Sequence, residues 1–231
     1  MDSQRFAEPL LTAGQAALHL AIPRTTIGEW AAAGLLHSVA STGRFQPTMP
    51  LVAVAEAQVL HGLRGWGLHG LEIRRAVRRL RAEFGPFALL AQRLATDGAA
   101  LLRDLAEPGA GPGAGPGVGP GAGPRWERVV DGQAVLPTIV DDHVRYFEWE
   151  PDGSPRRLTL RSYARHGAEV ILDPRYGYGQ PVFARTKVRV LDVVRLFLAG
   201  EAREDIAYDH GLSQAEVDAA VRVLGAERAA A

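Results

Sequence analysis

A chain of 231 residues suffices for one large or two small domains, and 47% hydrophobic with 23% charged side chains excludes wholesale disorder. Lys+Arg and Asp+Glu balance at 26 each, so no global excess marks a nucleic-acid or membrane partner, although the first 106 residues hold 11 basic against 8 acidic side chains. Cysteine is absent, which removes disulfides, thiolate metal sites and cysteine nucleophiles.

Helical periodicity opens the chain. Thr12 with Gln15 three residues on forms a capping box, ahead of an apolar face of Ala16, Ala17 and Leu20. Ala21-Ile22-Pro23 makes a turn into a second helix, where Ile27 and Trp30 face inward and Gly34 stops the run. Leu35 to Phe45 suits a small hairpin around Ser41-Thr42-Gly43. Two helices follow at about 51–65 and 70–84, and a weaker one near 97–105. Residues 109–124 then repeat a four-residue Gly/Pro unit four times, a period that excludes a collagen triple helix and predicts an extended tether. Beyond it, Trp126 to Val130, His143 to Trp149, Arg156 to Leu160 and Glu169 to Leu172 have β-type composition, while 134–142 is ambiguous. Three short helices close the chain from Val190, the last capped by Ser213 with Glu216. No apolar run is long enough to span a membrane and the N-terminus lacks a signal pattern, so the cytoplasm is the expected compartment.

The expected architecture is mainly α with a small β part, in the α+β class. Residues 1–106 form a helix-turn-helix domain with a wing, 107–124 the tether, and 125–231 short strands followed by a three-helix, helix-turn-helix-like unit.

In the first pair of helices, packing of Ile27 and Trp30 leaves Arg24, Thr25, Gly28 and Glu29 outward. Arg24 suits a guanine edge or a phosphate, and Thr25 and Thr26 suit phosphate or base contacts. Arg44, at the end of the hairpin, is placed to reach the backbone or minor groove. One half-site of this size binds weakly, so specific recognition implies a homodimer or higher assembly on a two-part operator. Leu11-Thr12, Ala16-Ala17, Pro23-Arg24-Thr25, Trp30, Gly34-Leu35 and His69 to Ala76 together resemble the MerR-type DNA-binding domain over residues 10–85. The resemblance implies a winged helix-turn-helix on double-stranded DNA, read by Arg24, Thr25, Thr26, Gly28 and Arg44. Arg74, Arg75, Arg78, Arg79 and Arg81 form a second basic face, for which a merely solvated role is preferred over phosphate contact.

Asp173-Pro174-Arg175-Tyr176-Gly177-Tyr178-Gly179-Gln180-Pro181-Val182, then Thr186-Lys187-Val188, Ala199-Gly200-Glu201 and Gly211-Leu212-Ser213 resemble the antitoxin family built on the domain of unknown function 433, over residues 173–224. Arg185 and Arg189 stand where that family often has Gly and Pro. The order of parts resembles longer VapB-type antitoxins. It implies a protein that represses its own promoter and neutralises a PIN-domain-like toxin ribonuclease, with Tyr176, Tyr178, Gln180, Arg185, Lys187 and Arg189 toward that partner. The alternative is a stand-alone MerR-like regulator whose C-terminal domain dimerises or senses a small molecule.

Enzyme chemistry is not expected. Asp141-Asp142-His143 is the only compact ligand-type cluster, and adjacent strand residues point to opposite faces. No nucleophile elbow or P-loop occurs, and neither a metal nor a cofactor is expected.

Overall fold

A computed structural model describes residues 8–39, 46–65, 67–91, 94–96, 101–104, 126–129, 139–141, 146–149 and 155–228. The Gly/Pro tether, Arg44 and the turn of the expected wing lie outside these residues. The chain makes two compact units: Met1–Gln58 with Tyr146–Ala231, and Val59–Arg145. The stretches 1–106 and 125–231 are thus each shared between the two units.

In the first unit, β1 (Pro9–Leu11) leads into α1 (Ala13–Leu20). The capping box of Thr12 and Gln15 is formed in both directions: Gln15 N donates to Thr12 Oγ1 at 3.1 Å, and Thr12 N donates to Gln15 Oε1 at 2.9 Å. Helix α1 ends on Ala21 in the left-handed conformation. Pro23 then precedes α2 (Arg24–Ala32) with φ of −56°, the value its ring imposes. Ile27 and Trp30, three apart on α2, are buried as their spacing requires. A short β2 (Met49–Pro50) pairs antiparallel with β1 before α3 (Leu51–Gly65), whose residues divide between the units after Gln58.

The C-terminal part of this unit holds a four-stranded antiparallel sheet in the order β10-β9-β8-β7, from β7 (Phe147–Trp149), β8 (Pro155–Thr159), β9 (Val170–Leu172) and β10 (Val182–Phe183). Leu158 opposes Leu172, and Val182 opposes Ile171; all four are fully buried. Between β8 and β9 lies α6 (Arg161–Ala164), and after β10 come α7 (Val190–Leu198), α8 (Arg203–Asp209) and α9 (Gln214–Arg228). Val190, Val193, Val194, Ile206, Val217 and Ala220 form the apolar side of the three helices. Full burial of one such branched side chain contributes about 1.5–3 kcal/mol. Ser213 and Glu216 make the expected second capping box, at 2.8 and 3.2 Å.

Polar ties join the two ends of the chain within this unit. Gln58 donates to the Thr159 carbonyl at 3.1 Å and accepts from Arg161 N at 2.9 Å. His19 Nδ1 lies 2.7 Å from the Tyr163 hydroxyl, and Ser162 Oγ donates to the His19 carbonyl at 2.5 Å. A helix pair of this size exposes too much apolar surface alone, which explains why it closes on the C-terminal elements.

The second unit contains α4 (Gly70–Phe84), α5 (Ala88–Ala91) and a sheet in the order β5-β4-β3-β6. Its strands are β3 (Leu94–Thr96), β4 (Leu101–Asp104), β5 (Trp126–Arg128) and β6 (Ile139–Asp141). Of the apolar face that helical spacing predicts for α4 (Leu71, Ile73, Ala76, Val77, Leu80 and Phe84), Ile73, Ala76, Val77 and Leu80 are buried, Leu71 in the first turn is exposed, and the Phe84 side chain lies outside the described residues. Within the weak helix expected near 97–105, the described residues Leu101–Asp104 form β4 instead; so short a run nucleates a helix poorly, whereas Leu102 gains partners on both sides, Ala95 and Arg128. Helices joined to short strands give the α+β class read from the sequence.

Candidate functional site

The α1–α2 pair sets out a face of polar and charged side chains. With Ile27 and Trp30 turned inward, Arg24, Thr25, Gly28 and Glu29 are exposed and Thr26 is half-buried. Among the described residues nothing stands within 4 Å of where a Cβ on Gly28 would lie, so the backbone there is open to a close approach. Four of the five residues expected to read DNA thus share the first turns of one helix; the fifth, Arg44, is outside the described residues.

The second expected face is the segment from Asp173 to Arg189. Arg175 forms a fork on buried Asp173, donating from Nε at 3.0 Å and from a terminal nitrogen at 2.7 Å, with Arg175 N donating at 2.9 Å. Burial alone would raise the Asp173 carboxyl. The hydrogen bonds and charge of Arg175, with a contribution from the charge of Arg156, outweigh it and hold the group below its ordinary value. This anchored corner starts a tight turn over Gly177–Gly179. Gly177 and Gly179 have φ of +58° and +75°, and a Cβ on them would stand 2.6 Å from Val182 Cγ1 and 2.7 Å from Leu10 Cδ2. Only glycine fits both demands.

The turn pushes Tyr178 outward, with φ of 56° and 95% exposure. Tyr176 stands under two cations, Lys187 Nζ at 4.8 Å and the Arg175 guanidinium at 5.6 Å from its ring centre. Arg185 reaches the Gly211 carbonyl and lies 3.5 Å from Glu216, while Arg189 pairs with Asp192 at 2.7 Å. Gln180 donates to the Leu10 carbonyl at 3.2 Å, and its Oε1 lies 3.5 Å from Gln15 Nε2. Its side chain is therefore engaged with the N-terminal segment of its own chain.

Sequence reasoning did not single out His19, Tyr163 or the buried carboxylate Glu56. Burial lowers the His19 pKa to about 4 and raises the Tyr163 hydroxyl well above its ordinary value, so a neutral pair is held in the interior. Glu56 accepts from His37 N at 2.8 Å and meets its Nδ1 at 2.5 Å. The signal for His19 was its place beside Ala16, Ala17 and Leu20, where a polar residue on an apolar face requires a buried partner. Among the described residues no group of three His, Asp or Glu side chains could hold a metal ion, and no helix is long and apolar enough to cross a membrane.

Residues 170–222, from β9 to late in α9, match the family described as Protein of unknown function (DUF433). The chain is 33% identical over 241 residues to the protein named "Putative antitoxin VapB45" of Mycobacterium tuberculosis (strain ATCC 25618 / H37Rv), with 96% of each chain covered. The crystal structure of Rv2018 from Mycobacterium tuberculosis superimposes with a TM-score of 0.67 at 28% identity, covering 94% of this chain and 99% of that one. The chain belongs to the family of this VapB-type protein, with a DUF433 module at its C-terminal end.

Proposed function

We propose that this protein is the antitoxin of a type II toxin–antitoxin system, acting in the cytoplasm by binding rather than by catalysis. Membership of the VapB45 family over nearly the full length carries the reading. The antitoxin neutralises a PIN-domain-like toxin ribonuclease by direct contact. The segment around Tyr176, Tyr178, Gln180, Arg185, Lys187 and Arg189 supplies that contact, since an aromatic ring at 95% exposure on a glycine-braced turn is a rigid anchor for a partner pocket.

The same chain represses its own promoter. Helix α2 enters the major groove, α1 braces it, and Arg24, Thr25, Thr26 and Gly28, with Arg44, supply the contacts in a MerR-like manner. Two copies act together, because one such half-site provides little affinity alone. Support comes from the order of side chains on α2: Ile27 and Trp30 are buried, and the exposed face begins with Arg24 and Thr25, with the acidic Glu29 a turn further on.

Co-expression with the product of the adjacent small reading frame tests the proposal. The pair should co-purify, and this chain should restore growth that the neighbour arrests. A neighbour that arrests growth, is not rescued and does not co-purify contradicts it.

A further inference from the structure

We infer that α4 carries a second nucleic-acid contact, a stripe of arginines that follows the phosphate backbone of duplex DNA. The inference rests on the DNA-binding reading above and adds a surface to it. Helix α4 has two faces of opposite character. Ile73, Ala76, Val77 and Leu80 are buried, and Arg74, Arg75, Arg78 and Arg79 are exposed. Among the described residues only Arg79 of the four meets a carboxylate, Glu83 at 4.0 Å. Two like-charged pairs therefore stand at i,i+4, Arg74 with Arg78 and Arg75 with Arg79, an arrangement that weakens a helix. Nothing within the described residues repays that repulsion for Arg74, Arg75 or Arg78, whereas a row of anions would.

Several observations favour phosphate over other anions. All four cations are arginine, whose planar fork accommodates phosphate as it does carboxylate oxygens, and their regular spacing along one helix face suits a regular row of anions. The 1.5 Å rise per residue spreads them over about 7.5 Å of helix axis, which covers two or three phosphates at about 3.4 Å per strand. The apolar face of α4 is already in the core, and Leu71, at 69% exposure, is the only large apolar side chain exposed on the helix among those described, which is too little for a membrane anchor. The acidic side chains of α4 are Glu72 in its first turn and Glu83 in its last; Glu83 meets Arg79, so Arg74, Arg75 and Arg78 carry the excess positive charge of the stripe.

The test is the salt dependence of binding by the full-length protein to a 30-base-pair duplex of its own promoter and to a scrambled duplex. R74Q/R75Q/R78Q/R79Q should lower the slope of log K against log salt by about 2 to 3 on both duplexes, and weaken binding roughly tenfold or more at moderate salt. R165Q/R222Q, which removes two exposed charges elsewhere, should leave the slope within about half a unit of wild type. If the quadruple variant loses helical circular dichroism, R74Q/R78Q and R75Q/R79Q replace it, each with about half the change. An unchanged slope in the stripe variants, or an equal fall in the control, overturns the inference. Loss of the co-expressed toxin with duplex binding intact also overturns it, in favour of an acidic protein partner. Failure of the wild-type protein to bind either duplex instead contradicts the DNA-binding reading itself.

Discussion

At the scale of single residues, His19 has the clearest measurable consequence. Its folded pKa of about 4 lies below the ordinary 6.5, because burial disfavours the imidazolium. The unfolded chain therefore binds the proton more readily, and folding stability falls as pH drops from about 6.5 toward 4. Between pH 7 and pH 5 this one group should cost about 2 kcal/mol, read as a lower urea midpoint. In His19→Gln that increment of pH dependence should vanish; an identical pH profile would show that His19 is not held neutral. Tyr163→Phe should cost about 1–3 kcal/mol at pH 7, since it leaves the buried ring nitrogen without its partner. On the DNA-binding side, Arg24→Ala should weaken promoter binding by about 1–3 kcal/mol if that guanidinium reads a base edge. Fluorescence anisotropy with a labelled duplex measures it, and wild-type affinity in the variant would remove Arg24 from the interface.

Among the elements, the turn over Gly177–Gly179 couples conformation to packing. Gly179→Ala must adopt a positive φ and also displace Leu10, so it should destabilise the fold by about 2 kcal/mol or more. Gly200→Ala meets only the backbone strain, because nothing lies within 4 Å of its added Cβ. Thermal unfolding should rank Gly179→Ala well below Gly200→Ala, and Leu10→Ala should offset part of the difference in a double-mutant cycle. Equal melting temperatures would show that the turn does not press on β1. Local signals of this kind were readable in the sequence: the capping boxes at Thr12 and Ser213, the apolar spacing of Ile27 with Trp30, and the buried stripe of α4 each follow from a short-range rule. The strand Leu101–Asp104 was not readable, since its stability comes from β3 and β5 on either side rather than from its own residues. Nor was the engagement of Gln180 with Leu10, which joins residues 170 positions apart.

Across the whole molecule, the repeat at 109–124 lies outside the described residues, and the compact units cut the chain after Gln58 and after Arg145. Long-range closure of one end of the chain on the other leaves no trace in periodicity. It places α1 and α2 in the same compact unit as the DUF433 module, so the helix proposed to read DNA and the turn proposed to hold the toxin belong to one unit. Both ligands should therefore be carried at once. Light scattering during size-exclusion chromatography, with promoter duplex and the adjacent gene product mixed with this protein, measures this directly. A single peak whose mass includes all three components is the predicted result. Separate elution of both the duplex and the neighbouring protein from this chain would contradict it.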